Sequence, residues 1–221
     1  MILKMAAHLR YFWGSMGSAK TLRLLTTAYN LEENGLDIMC LKPSADTRDG
    51  EGVIKSRVGL ERKCTMVDPD VNLYKAIKAY NNVLNAQFHT LKWVLIDECQ
   101  FLTEQQVDQL SDVADFLDIE VMCFGLRTDF QSKLFPASKR LFELADDIEE
   151  IKSTCSCGEK KTSINARFDE NGEIVTEGNQ IMVGGDDKYK ALCRKCWKDK
   201  IRDRIRKEII DKNKDNYEAT D

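Results

Sequence analysis

The chain has little proline, little histidine and no long apolar run. Three prolines and 12 glycines among 221 residues leave no room for a Pro/Gly linker or a collagen-like repeat. No stretch approaches the ~20 apolar residues that a membrane-spanning helix needs. Positive charge is not in surplus either, since 33 Lys+Arg stand against 37 Asp+Glu for a net charge of −4. A grip on a nucleic-acid backbone requires cations to displace its counterions, so neither a nucleic-acid polymer nor a membrane is expected as partner. The two histidines, His8 and His89, are isolated and are assigned no chemistry. Residues Met1 to Trp13 look like a signal peptide only at first sight. Lys4, His8 and Arg10 interrupt them, and no small-residue cleavage site follows. A cytoplasmic location is expected.

What the chain does have is 43% hydrophobic and 32% charged residues, enough for a real core beneath a charged surface. Its eight cysteines divide into two groups. Cys40, Cys64, Cys99 and Cys123 are isolated, and Cys40, Cys99 and Cys123 lie in or beside apolar runs, as small buried hydrophobes do. Cys155 and Cys157, then Cys193 and Cys196, form two tight pairs, a spacing that belongs to metal binding in a reducing compartment.

The first two-thirds alternates short apolar runs with helical periodicity, the pattern of a parallel sheet with crossover helices. Strands are predicted at 9–13, 37–41, 93–96 and 119–124, with 53–57 as an edge strand. Helices are predicted at 20–34, 71–84 and 104–117, the first with Leu22, Leu24, Leu25, Ala28, Tyr29 and Leu31 on its apolar face. From Cys155 to Trp197, turn signals at Asn171-Gly172 and Gly184-Gly185 predict β-hairpins around the cysteine pairs. The last residues form a charged surface helix, expected to fray after about Lys212. Asp146, Asp147, Glu149 and Glu150 read as solvated acids.

The sharpest motif is Gly14, Ser15, Met16, Gly17, Ser18, Ala19, Lys20 and Thr21, set between a strand and a helix. A phosphate-binding loop needs this setting: backbone amides and a helix N-terminus face the anion, a lysine bridges the outer phosphates and a Ser/Thr hydroxyl meets Mg²⁺. The pattern departs at Ala19, where glycine is expected. If that position has φ > 0, alanine costs about 1–2 kcal/mol. Asp97 and Glu98 follow an apolar strand, where a Mg²⁺-holding acid and, one residue on, a general base toward a substrate hydroxyl belong. Alone, the pair would read as a cap for the helix at 104. Cys155, Cys157, Cys193 and Cys196 complete a closed S₄ set that suits structural Zn²⁺, the alternative being four unligated thiols. Asp46, Arg48 and Arg57 add charge near the nucleotide, while Phe130 and Phe135 flank a turn where a planar ring fits.

Taken together these segments resemble the thymidine kinase family of the zinc-containing, tetrameric type. The strings that carry the resemblance include Gly14 to Thr21, Lys42-Pro-Ser-Ala-Asp-Thr-Arg48, Ser56-Arg-Val-Gly59, Ile96-Asp-Glu-Cys-Gln-Phe-Leu102, Gly125-Leu-Arg-Thr-Asp-Phe130, Cys155-Ser-Cys-Gly158 and Cys193-Arg-Lys-Cys196. The resemblance implies an α/β fold, with a P-loop NTPase-like parallel sheet at 1–152, a zinc-bound lasso at 153–197 and a charged tail at 198–221. It implies transfer of the γ-phosphoryl group of ATP to the 5′-hydroxyl of thymidine. Glu98 would be the base, with Asp97 and Thr21 serving Mg²⁺. The loop from Gly14 to Thr21, with Asp46, Arg48 and Arg57, would hold phosphates. The thymidine pocket would use Met16, Leu126, Phe130, Phe135, Arg167, Met182, Val183, Gly184 and Tyr189. It also implies a homotetramer inhibited by thymidine triphosphate. The alternative that Ala19 raises is a homologue without catalysis, serving as a nucleotide-binding or assembly protein.

Overall fold

The computed structural model describes residues 6–48, 50–180 and 188–218, with side chains described as far as residue 211. The chain opens with β1 (Leu9–Trp13), α1 (Lys20–Glu33) and β2 (Asp37–Pro43). A short excursion follows through β3 (Val53–Lys55), β4 (Glu61–Lys63) and β5 (Thr65–Val67). Then come α2 (Leu73–Asn85), β6 (Leu91–Ile96), a 3₁₀ turn (Cys99–Phe101), α3 (Glu104–Leu117) and β7 (Glu120–Gly125). The first part of the fold closes with α4 (Pro136–Leu144) and β8 (Asp147–Glu150).

Six of these strands form one sheet among the described residues, in the order β5-β2-β6-β7-β1-β8, and every neighbouring pair is parallel. A parallel sheet sends all its strands toward the same edge, so the segments after β1, β2, β6 and β7 emerge side by side. Alternation along each strand feeds two cores. Tyr11, Val94, Ile96, Val121 and Cys123 pack with α2, α3 and α4, whereas Phe12, Leu95, Met122 and Phe124 pack with Leu24, Leu25 and Ala28 of α1. Phe12 and Phe124 stack with ring centroids 4.8 Å apart. The helix starts follow local chemistry. The Asn72 side chain accepts from the Lys75 amide at 2.9 Å, Thr103 and Gln106 form a reciprocal capping box, and Pro136 opens α4.

Beyond residue 150, β9 (Ile164–Phe168), β10 (Ile174–Val175) and β11 (Tyr189–Leu192) form a second, antiparallel sheet in the order β10-β9-β11. Ala166, Ile174 and Leu192 bury its face against Cys155 and Cys193, with Trp197 and Ile201 of α5 (Arg194–Glu218) packed alongside.

Two expectations need correction. Residues 53–57 do not edge the main sheet: β3 pairs with β4 in a separate hairpin, and the sheet edges are β5 and β8. The acids at 146–150 are largely exposed, as expected of solvated groups, and they take partners as well. Asp146 accepts from the Leu9 amide at 2.8 Å, and β8 pairs with β1, so Asp147 meets Arg10 and Glu149 takes a two-pronged bond from Arg23. Tyr29 points outward at 61% exposure instead of joining the apolar face of α1. The last helix runs from Arg194 to Glu218. No helix among the described residues is long and apolar enough to cross a membrane.

Candidate active site

At the shared edge of the sheet lies a cavity of about 540 Å³. After β1, the loop supplies Met16, Gly17 and Ala19 to its wall, and the first turn of α1 adds Lys20 and Thr21. The segment after β2 brings Asp46 and Arg48, and the β3–β4 hairpin brings Arg57. Glu98 and Gln100 come from the turn after β6. Leu126, Phe130 and Phe135 come from the stretch after β7, and Tyr189 from β11. Gly14, Ser15, Ser18, Asp97 and Arg167 stand behind this lining, while Met182, Val183 and Gly184 lie outside the described residues.

The loop between β1 and α1 turns through two left-handed residues. Gly17 has φ 74°, and Ala19 itself sits in the left-handed region at φ 64° and ψ 27°. Its carbonyl nonetheless receives the Arg23 amide at 3.0 Å, and α1 begins directly after it. The first turn of α1 carries no acid to compete with an anion at its N-terminus. Gly14 has to be glycine, since a Cβ there would stand 2.5 Å from the Ile151 carbonyl oxygen. Lys20 is buried, and its ammonium donates to the Ser15 carbonyl at 2.9 Å. Burial pushes its pKa down, against the pull of Glu98 and Asp97.

The acids after β6 differ in burial and partners. Asp97 is 3% exposed and lies 3.4 Å from the Thr21 hydroxyl. Burial first, then the charge of Glu98, pushes its pKa up to about 7. A buried carboxylate whose ionisation is so disfavoured, beside a hydroxyl and a phosphate cradle, is a setting that a divalent cation would relieve. Neither acid caps the following helix, because Thr103 does. Glu98 has a left-handed backbone, φ 49° and ψ 38°, a strained conformation of the kind that clusters at functional sites. Its carboxylate is engaged at both oxygens. One carboxylate oxygen accepts from Arg48 at 2.6 Å and the other from Gln100 at 2.5 Å.

Away from the phosphates, Phe130 and Phe135 are 1% and 4% exposed behind their cavity faces. The Arg167 guanidinium stacks 3.7 Å from the Phe130 centroid and donates to the carbonyls of Glu177 and Asn179. It therefore supports the pocket wall and the strap beyond β10 rather than entering the cavity.

A family model described as thymidine kinase matches residues 7–197. The chain belongs to the thymidine kinase family. It is 43% identical over 191 residues to a thymidine kinase of Agrobacterium fabrum, covering 86% of this chain and 96% of that one. It is 38% identical over 203 residues to one of Rhodopirellula baltica, covering 92% and 93%, and 40% identical over 194 residues to one of Mannheimia succiniciproducens, covering 88% and 96%. Among solved structures, the Pif1 helicase from Candida albicans gives a TM-score of 0.38 at 18% identity over 66% of this chain and 36% of that one, too slight a likeness to build on.

As in the expected thymidine kinase pattern, the four paired cysteines converge, with all their sulfur atoms within 4.8 Å of one another. Tetrahedral Zn–S bonds would put the sulfurs about 3.8 Å apart, and Cys157 and Cys193 are already 4.0 Å apart. Burial opposes ionisation of Cys155, yet hydrogen bonds from the Cys157 and Cys193 amides outweigh it and bring the thiol down to about 6. The set fits a metal ion.

Several contacts around the cavity escaped the sequence reading. The Ser15 hydroxyl turns away from the cavity to Thr162 at 2.5 Å and Ser153 at 3.1 Å, and the Met16 amide donates to Asn165 at 2.8 Å. These bonds tie the loop after β1 to β9 and to the segment before it. Lys42, 0% exposed, pairs with Asp46 at 3.0 Å. Gln100 accepts from the Leu126 amide at 2.9 Å while it donates to Glu98. Lys42 and Gln100 both lie within strings already singled out, and that was the available signal. The Ser15 and Asn165 links join residues 147 and 149 positions apart and leave no local trace.

Proposed function

We propose that the chain transfers the γ-phosphoryl group of ATP to the 5′-hydroxyl of thymidine, with the roles that follow. Lys20 and the amides from Gly14 to Thr21 hold the triphosphate, and the Ala19 methyl, in the cavity wall, crowds the cradle without closing it. Thr21 and Asp97 would hold Mg²⁺, which when bound neutralises charge on the bridging and terminal phosphate oxygens. Thymidine lies between Leu126, Phe130, Phe135 and Tyr189, with Met16 and the segment containing Met182, Val183 and Gly184 completing the pocket. Arg167 holds that wall in place.

The 5′-oxygen attacks the γ-phosphorus, the bond to the β–γ bridging oxygen breaks, and ADP leaves with that electron pair. The proton released from the 5′-hydroxyl goes to a Glu98 carboxylate oxygen. Arg48 and Arg57 stabilise charge on the transferring group. Cys155, Cys157, Cys193 and Cys196 hold structural Zn²⁺, clasping a lasso (153–197) against the kinase part (1–152), with 198–221 as a tail. A homotetramer, feedback inhibition by thymidine triphosphate and a cytoplasmic setting belong to the same reading.

The observation that carries the proposal is that Lys20, Thr21, Arg48 and Glu98 line one cavity with Phe130, Phe135 and Tyr189. Phosphate groups and a nucleoside can therefore meet at the base. Incubation with Mg·ATP and each deoxynucleoside, followed by ³¹P NMR of the product, tests it. Thymidine 5′-monophosphate is expected. No product from the native chain, with turnover restored by Ala19→Gly, would favour the non-catalytic alternative instead.

A further inference from the structure

The two oxygens of Glu98 are both occupied in this structure, although its proposed task is to receive a proton. Gln100 holds one of them, and the Gln100 side chain is itself fixed by the Leu126 amide, so that contact belongs to the frame. Arg48 holds the other through Nη2 at 2.6 Å. The same guanidinium is anchored on Asp46: its Nε donates at 2.6 Å, and Nη2 donates there too at 3.1 Å, so Nη2 bridges Asp46 and Glu98. Asp46 is in turn held by Lys42 at 3.0 Å, and these two side chains are 2% and 0% exposed. Burial works against the Asp46 charge, but Arg48 and then Lys42 keep its pKa below the ordinary value. The Arg48 side chain, by contrast, is 30% exposed and lines the cavity beside Lys20 and Thr21.

A rigid buried pivot with a solvent-facing fork suits a group that changes partners. Arginine bonds phosphate and carboxylate with the same planar geometry. We propose that Arg48 is a latch shared between base and donor: the bond its Nη2 makes to Glu98 passes to the terminal phosphate when a triphosphate binds. Asp46 and Lys42 hold the Nε edge throughout. The exchange frees a Glu98 oxygen for the 5′-hydroxyl, so donor binding tightens thymidine binding. This rests on the kinase reading above and adds a coupling between its two substrates.

The test is calorimetric titration of thymidine into the protein, with and without the Mg complex of the β,γ-imido analogue of ATP. In the native protein the analogue should tighten thymidine binding about 5- to 10-fold, within the usual range of coupling between sites. 5′-Deoxythymidine, which has no hydroxyl for Glu98 to accept, should bind equally in both states. Arg48→Gln should bring the ratio for thymidine below about twofold while melting near the native temperature. Glu98→Gln, which removes the carboxylate that Arg48 covers, should lower the ratio as well. A native ratio near one, or a full ratio retained in Arg48→Gln, would overturn the latch and leave the kinase reading standing. Absence of thymidine binding in both states would overturn both.

Discussion

Replacing Ala19 with glycine separates two effects that the extra methyl group has on this protein. Ala19 is held at φ 64°, and a left-handed backbone costs a residue with a Cβ about 1–2 kcal/mol. Glycine removes that strain but adds about 0.5–1 kcal/mol of freedom to the unfolded chain. Ala19 is exposed, so the lost methyl takes no packed contact with it. The net expectation is a gain of about 0.5–1 kcal/mol, which for a chain of this length raises Tm by about 1–4 °C. The strain is present with and without ATP and cancels from binding. Any change in the KM for ATP therefore reports the methyl in the cavity wall. A fall of about two- to fivefold is expected, with the KM for thymidine unchanged. Differential scanning calorimetry and initial-rate kinetics measure the two separately. A lower Tm for Ala19→Gly would refute the strain argument, and a higher KM for ATP would refute the crowding argument.

Other substitutions probe the frame around the base and the nucleoside pocket. A Cβ at Gly125 would stand 2.6 Å from the Cys99 sulfur and 2.6 Å from the Gln100 side-chain oxygen. Gly125→Ala should therefore cost about 1–3 kcal/mol of stability and lower kcat more than tenfold by displacing the turn that carries Glu98, as denaturant melts and kinetics would show. Arg167→Met should raise the KM for thymidine about tenfold and leave that for ATP unchanged, since it loses the stack on Phe130 and two bonds to the strap carbonyls. Elemental analysis of protein purified without chelators should find about one zinc per chain, and Cys155→Ser should lose the metal and melt at a lower temperature. Native-like stability with no metal would count against the clasp.

What could be read from the sequence was whatever the chain carries locally. The phosphate loop is contiguous, Asp97 and Glu98 follow an apolar run directly, and the cysteine pairs advertise themselves by spacing. The order of the main sheet's strands was not legible, and several omissions trace to it. Asp147 and Glu149 are solvated as read, and only the pairing of β8 with β1 shows that they also lie beside Arg10 and Arg23. The short strand Thr65–Val67 is an edge of the main sheet only because β2 lies next to it. The contact between Glu98 and Arg48 could not be read because the two are 50 residues apart in the chain. Backbone strain at Ala19 was stated as a condition, and the left-handed φ fulfils it.

Single-turnover transfer of ³²P from γ-labelled ATP to thymidine, with native protein and Glu98→Gln side by side, bears most directly on the central claim. The native chain should label the 5′-position. Glu98→Gln should bind both substrates nearly as well and transfer about 10² times more slowly or worse, as the loss of a positioned base implies. Equal transfer rates would contradict the role of Glu98, and no transfer by native protein with both substrates bound would contradict the kinase itself.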